Sequence, residues 1–180
     1  MGRTAGLEQK TLEKVKRGDE KAAREIYDRY CKGMYNVIIR LVTDEDYAKD
    51  LLQESFIRAF QKIHSFRGDA TFGAWLKRIV INTALESMRK KKIEFDELTD
   101  SKYDIPLVEK DEIRYDLTKV HQGIKSLPDG SRAVLTMYLL EGYSHKEIAE
   151  DLNISVSTSK TQYMRAKKLL QQHLKSMNNG

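Results

Sequence analysis

Gly142 to Leu170, GYSHKEIAEDLNISVSTSKTQYMRAKKLL, is the stretch that decides the fold. It predicts helix, tight turn, helix. Ser144 is followed three residues later by Glu147, the capping-box spacing that starts a helix. Ile148, Ala149 and Leu152 then form one short apolar stripe. Asn153 falls where the chain must turn sharply, and Asn tolerates the left-handed conformation better than most non-glycine residues. A second cap cluster, Ser155 and Ser157, opens a longer helix with Ser157, Thr158, Lys160, Thr161, Met164, Arg165 and Lys168 outward. That is the layout of a helix-turn-helix whose second helix can enter a major groove. Two surface helices with an ordinary solvated face would give a similar short pattern, so the rest of the chain must decide.

Working outward, the pattern is nearly all helical. Only Pro106 and Pro128 interrupt it, and strand-like alternation is absent. Leu7, Leu12 and Val15 predict a short first helix closed at Gly18. A second begins near Glu20 and carries Ala23, Ile26, Tyr27, Tyr30, Met34, Val37, Ile38 and Leu41 on one face. Thr43 or Asp44 caps a third, with Ala48, Leu51, Leu52, Ser55, Phe56, Ala59, Phe60 and Ile63 inward. After a Phe-Arg-Gly-Asp loop, a fourth helix turns Phe72, Trp75, Leu76, Ile79, Val80, Thr83, Ala84 and Met88 inward. Helical pattern resumes with Ile113, Leu117, Val120, Ile124 and Leu127. Beyond the Pro128-Asp129-Gly130 turn, Val134, Leu135, Tyr138 and Leu139 line the next helix.

Charge divides the chain in the same way. Of its 180 residues, 1–93 carry 20 Lys+Arg against 13 Asp+Glu, 94–116 carry 3 against 9, and 117–180 carry 9 against 5. A basic, acidic, basic layout predicts two nucleic-acid-facing modules joined by a segment that avoids nucleic acid. The expected architecture is all-α: a helical domain over 1–93, an acidic linker over 94–112, and a helix-turn-helix domain over 113–180.

Composition excludes several classes. A single cysteine, Cys31, allows no disulfide framework and no thiolate zinc cluster, and the four histidines lack ligand spacing. No apolar run reaches membrane-spanning length and the first residues lack a signal-peptide core, which points to a cytoplasmic protein. No Walker loop, dinucleotide fingerprint, zinc-protease motif or nucleophile elbow appears. No enzyme, metal or cofactor is expected.

Three surfaces stand out. Opposite its core face the fourth helix repeats Arg78, Asn82, Leu85 and Arg89, flanked by Lys77 and Lys90; cations anchor phosphates, and Asn can bond base edges. The loop before it holds Phe66 and Arg67, an aromatic beside a cation, as single-stranded bases require. The third helix offers Asp46, Asp50, Gln53, Glu54 and Ile57, which reads as a solvated face, a metal site, or a docking face with an apolar anchor.

With both modules laid out, the sequence resembles the small bacterial RNA polymerase sigma factors of the extracytoplasmic-function group of the sigma-70 family. The resemblance rests on IYDRYCKGMYN, on DLLQESFIRAFQKIHSFRGDATFGAWLKRIVINTALESMRKKK and on LPDGSRAVLTMYLLEGYSHKEIAEDLNISVSTSKTQYMRAKKLL. It implies a transcription initiation factor that directs core RNA polymerase to promoters. It implies that Asp50, Gln53, Glu54 and Ile57 grip the clamp helices of the polymerase largest subunit, with the beta subunit a further contact. It implies that Phe66, Arg67, Lys77, Arg78, Asn82 and Arg89 face the minus-ten promoter element, where strands separate. Ser157, Thr158, Lys160, Thr161, Met164, Arg165 and Lys168 then face the minus-thirty-five element, and the acidic linker threads toward the RNA path. Many relatives are held inactive by an anti-sigma factor, which makes one a candidate partner here.

Spans are compatible. A 94–112 linker reaches at most roughly 65 Å at about 3.5 Å per residue, against about 70 Å for two duplex turns. One departure stands on the recognition helix: Ser159 occupies a buried-face position where the pattern expects an aliphatic residue, and its hydroxyl is expected to bond back to a carbonyl one turn earlier. Two other readings stay open on residues alone. A helix-turn-helix repressor predicts a dimer on a palindrome. A carboxylate-dependent nuclease would use Asp46, Asp50 and Glu54.

Overall fold

A computed structural model describes residues 2–90 and 117–178, with side chains from 8 to 90 and from 118 to 177. The acidic linker, Ile113 and the side chains of Leu7 and Leu117 lie outside the described residues. The described residues are helical, without strands. They form α1 (Gly2–Lys16), α2 (Glu20–Leu41), α3 (Glu45–Gln61), a 3-10 turn (Ile63–Ser65), α4 (Phe72–Lys90), α5 (Leu117–Lys125), α6 (Asp129–Leu135), a π-helical turn (Thr136–Leu140), α7 (His145–Leu152) and α8 (Val156–Asn178). The chain divides into two compact units, Met1–Ser87 and Met88–Gly180. None of the described helices is long and apolar enough to cross a membrane.

In the first unit, short polar side chains set the helix starts. Gly18 adopts φ +84°, the left-handed turn that ends α1. Asp19 then caps α2 by accepting from the Ala22 N–H at 3.0 Å. Asp44 rather than Thr43 caps α3, accepting from the Tyr47 N–H at 2.9 Å. Thr71 caps α4 through the Ala74 N–H at 3.2 Å. α2 packs on both α1 and α3, and the 3-10 turn on α1 and α3. The predicted stripes are buried at Leu12, Val15, Ile26, Met34, Val37, Ile38, Leu41, Leu51, Leu52, Phe56 and Ile63. Each buried aliphatic or aromatic side chain of this kind contributes about 1.5–3 kcal/mol.

In the second unit, α5, α6 and α7 all pack against α8. Ile124, Leu127, Leu135 and Ala166 form its core, with Val120, Tyr163, Leu169 and Leu170 packed around them. Gly123 permits the close approach of α5 to α8, since a Cβ there would lie 2.5 Å from Leu170 Cδ1. Buried polar groups are built in. Ser131 donates to Gln162 Oε1 at 2.6 Å, both being buried. Arg132 is buried and donates to the Leu127 carbonyl at 2.7 Å and to Asp129.

Two expectations for inward residues fail. Tyr138 and Leu139 are exposed at 38% and 56%. After Leu135 the chain widens into a π turn, closed by the Glu141 N–H donating to the Thr136 carbonyl at 3.1 Å. The wider turn breaks the 3.6-residue period, so Tyr138 and Leu139 leave the stripe begun by Val134 and Leu135. Leu85, assigned to the outward stripe of α4, is buried at 1% exposure, as is the neighbouring Ile81. The stripe is therefore apolar at its third position.

Candidate nucleic-acid and partner-binding surfaces

The α7–α8 pair has helix-turn-helix geometry. Ser144 forms a full capping box: its hydroxyl oxygen accepts from the Glu147 N–H at 3.3 Å, and Glu147 Oε2 accepts from the Ser144 N–H at 2.8 Å. α7 ends at Asn153, which adopts φ 55° and ψ 47°, the left-handed conformation expected of it. Ser155 starts α8 by accepting from the Thr158 N–H at 2.9 Å. Ile148, Ala149, Leu152, Ser159, Gln162 and Ala166 are buried, which fixes the opposite face of α8 outward. On that face Ser157, Lys160, Met164 and Lys168 are exposed and Thr158, Thr161 and Arg165 half-buried. Thr161 donates its hydroxyl to the Ser157 carbonyl at 3.0 Å, so that proton is already engaged.

Ser159 is buried, but its hydroxyl does not turn back along its own helix as expected. It meets His145 Nδ1 at 2.9 Å across the α7–α8 junction. The His145 ring stacks on Tyr138 with centroids 4.3 Å apart and planes 15° off parallel, while Tyr163 approaches its edge at 5.8 Å. Burial, then the Lys160 charge, holds the His145 imidazole below its ordinary pKa.

On α4, Arg78, Asn82 and Arg89 are exposed, with Lys77 half-buried. Phe66 is not the free aromatic its polar neighbours suggest. It is half-buried, 5.5 Å from Phe72 and 5.4 Å from Trp75 between centroids, and Phe72 in turn meets Tyr30 at 5.4 Å. Trp75 is half-buried in the same cluster. Arg67 beside it is exposed. The loop and α1 enclose a cleft of about 410 Å³, lined by Glu8, Leu12, Glu13 and Lys16 on one side and Phe66, Arg67 and Thr71 on the other. Tyr30 donates to Glu8, and burial together with that bond pushes its phenol up to about 12.

On α3, Asp50, Gln53, Glu54 and Ile57 share one exposed face, with Ile57 at 58% exposure. Glu54 is held by Arg58 at 2.6 Å, and Arg58 also reaches Glu86 of α4 at 2.6 Å. These two carboxylates keep the guanidinium above its ordinary pKa, Glu86 most strongly. Asp46 pairs instead with Lys49 at 2.8 Å, which holds its carboxyl below the usual carboxylate range. Among the described residues no three His, Cys, Asp or Glu side chains converge as metal ligands.

The Arg58 bridge and the His145–Ser159 junction were absent from the sequence reading. The i, i+4 spacing of Glu54 and Arg58 signals the first half of the bridge; nothing in spacing signals Glu86.

Comparison with known proteins fits this geometry. Residues 26–93 match the family Sigma-70 region 2, and residues 117–170 match Sigma-70, region 4. The chain is 32% identical to the RNA polymerase sigma-H factor of Pseudomonas aeruginosa, with 97% of each chain covered. It is 33% identical to the ECF RNA polymerase sigma factor SigW of Bacillus subtilis, covering 93% of this chain and 97% of that one. Among solved structures, its fold is similar to that of the sigma factor RpoE in complex with the anti-sigma factor NepR from Bartonella quintana (TM-score 0.55, 24% identity, 84% of this chain and 96% of that one). It is also similar to CnrH in complex with the cytosolic domain of CnrY (TM-score 0.52, 22% identity, 92% and 96%). The chain therefore belongs to the extracytoplasmic-function group of the sigma-70 family, the factors that give RNA polymerase promoter-specific transcription initiation.

Proposed function

We propose that this chain is a dissociable initiation subunit with no chemistry of its own, and that its two units divide the work. Residues 1–93 bind core polymerase through Asp50, Gln53, Glu54 and Ile57. Ile57 is the apolar anchor of that face, and the charged and amide groups around it form the polar rim. The same unit reads the minus-ten element with Arg67, Lys77, Arg78, Asn82 and Arg89. Phe66 supplies a stacking face for an unpaired base once its ring swings out of the aromatic cluster. Residues 113–180 read the minus-thirty-five element with the outward face of α8, and residues 94–112 connect the two.

The observation that carries this reading is the orientation of α8. Its buried face is fixed by α6 and α7, so Ser157, Lys160, Met164 and Lys168 have no role in the core. A basic, hydroxyl-bearing helix face exposed beside a tight turn suits a major groove. An anti-sigma factor is the natural inhibitory partner. Solved relatives in complex with NepR and with the cytosolic domain of CnrY support that class of partner.

Run-off transcription with purified bacterial core polymerase tests the proposal. The chain should raise initiation from its own promoters well above the core enzyme alone. Equal initiation with and without the chain, across a genomic promoter library, overturns it.

A further inference from the structure

The junction between α7 and α8 holds a polar contact where the helix-turn-helix pattern expects an aliphatic one. Ser159 has no exposed surface, and its hydroxyl meets His145 Nδ1 at 2.9 Å. The imidazole is itself clamped, with Tyr138 of the π turn stacked on one face and Tyr163 of α8 at its edge. Tyr138 and Tyr163 also touch each other, 4.7 Å between centroids. Four side chains from three consecutive elements thus meet at one point, immediately before Lys160 on the exposed face of α8. A buried hydrogen bond is directional where an aliphatic contact is not, so it resists rotation of one helix against the other.

We propose that His145 is a positioning residue for the upstream-element reader: its bond to Ser159, with the ring held between Tyr138 and Tyr163, sets the roll of α8 and so the direction in which Lys160 faces. This rests on the reading of α8 as the minus-thirty-five helix.

Proton chemistry gives the arrangement a signature. With the neutral ring's proton on Nε2, Ser159 donates its hydroxyl proton to Nδ1. Protonation makes Nδ1 a donor, and the Ser159 proton must find another acceptor. Burial and the Lys160 ammonium oppose the charge on the ring. The π turn presents the Tyr138 phenol, and α8 presents the Tyr163 phenol and the Lys160 ammonium. Lys167 lies over the Tyr163 ring at 5.8 Å. On α7 itself Lys146 is exposed, and Glu147 is engaged with Ser144. Burial and Lys160 lower the folded-state pKa of His145. The stability this contributes is complete above the ordinary histidine pKa of about 6.5 and is lost as pH falls below it toward the folded value.

The test uses the full chain in holoenzyme and reads the ratio of initiation from a matched promoter to one altered only in the upstream element, from pH 8 downward to the lowest pH at which the holoenzyme still initiates. At pH 7.5, His145→Ala should lower the ratio about five-fold. Ser159→Ala should do the same, and the double variant should be no worse than the poorer single. His145→Asn, whose non-titrating amide oxygen can accept the Ser159 proton near the Nδ1 position, should keep the ratio within two-fold. Its profile should stay flat at acid pH, while that of the unsubstituted chain declines as the pH falls through the lowered folded-state pKa of His145.

The proposal is overturned if His145→Ala and Ser159→Ala reduce holoenzyme yield but leave the ratio unchanged, or if their effects multiply. Should His145→Ala fail to fold, the two pH profiles decide alone, and coincident profiles overturn the proposal. Lys160→Ala is the control. If it lowers the ratio while the His145 variants do not, the positioning role fails and the reading of α8 stands; if Lys160→Ala also leaves the ratio unchanged, it is the reading of α8 that fails.

Discussion

Replacing Lys160 by Ala probes the proposed upstream contact most sharply. Lys160 is exposed near the start of α8, where the N-terminal residues of a recognition helix approach base edges. From Ser157 to Lys168 the outward face runs about 17 Å at 1.5 Å per residue, which covers about five base pairs at 3.4 Å each. Lys160 lies in the first third of that span and Lys168 at its end, so the two should make different contacts. A base contact at Lys160 contributes about 1–3 kcal/mol of discrimination, roughly 5- to 150-fold in promoter preference. A phosphate contact at Lys168 weakens all promoters alike when removed and lowers the salt slope by about 0.9. Holoenzyme binding to matched and upstream-altered promoters across a salt series separates these outcomes. Lys160→Ala should lose affinity for the matched promoter far more than for the altered one. Equal losses on both, with a shallower salt slope, would refute a base-reading role for this residue.

Other outcomes follow from the same structure. Reversing charge at Asp50 and Glu54 together should weaken co-purification with core polymerase at least ten-fold while lowering the melting temperature only modestly, because both carboxylates are exposed although Glu54 gives up its ion pair with Arg58; unaltered co-purification would remove α3 as a docking face. Asn82→Ala should change minus-ten preference with little effect on stability, read by initiation from promoters varied only in that element. Gly123→Ala should change the stability of the second unit by less than about 1 kcal/mol, because the helix gain of Ala over Gly offsets the shift that the new methyl forces on the end of the Leu170 side chain; urea denaturation checks it, and a loss of about 3 kcal/mol would contradict a yielding Leu170. The absorbance difference between the chain and its Tyr30→Phe variant should titrate near 12 rather than near the ordinary 10. The stability linked to Tyr30 is then present below pH 10 and lost as pH rises through 10 to 12, and a difference titrating near 10 would refute the buried Glu8 bond.

The sequence carried the helices because their signals are local. Asp19, Asp44, Ser144 and Ser155 each cap a helix through a bond spanning three residues, and spacing alone exposes such bonds. The stripe of α2 and the left-handed Asn153 were legible for the same reason. The missed features depend on what another element brings. Leu85 follows the spacing of Arg78 and Asn82, yet it is buried while they are exposed. Phe66 has polar neighbours in sequence and aromatic ones in space. Tyr138 and Leu139 continue an apolar period that a single π turn ends. Ser131 and Gln162 are 31 residues apart, and His145 and Ser159 are 14 apart, so no local pattern pairs them. The outward residues of α8 and α4 were visible as chemistry, and the fold adds which of them reach solvent.

The central claim is that one chain reads two promoter elements with two separate surfaces while bound to polymerase. Site-specific photocrosslinking in the holoenzyme tests it directly, with one probe at Met164 on α8 and another at Asn82 on α4, each exposed in the structure. The account predicts that the Met164 probe labels only the upstream element and the Asn82 probe only the downstream one, both on the same promoter fragment and both dependent on core polymerase. Labelling of one element by both probes, or equal labelling by the chain without polymerase, would contradict it.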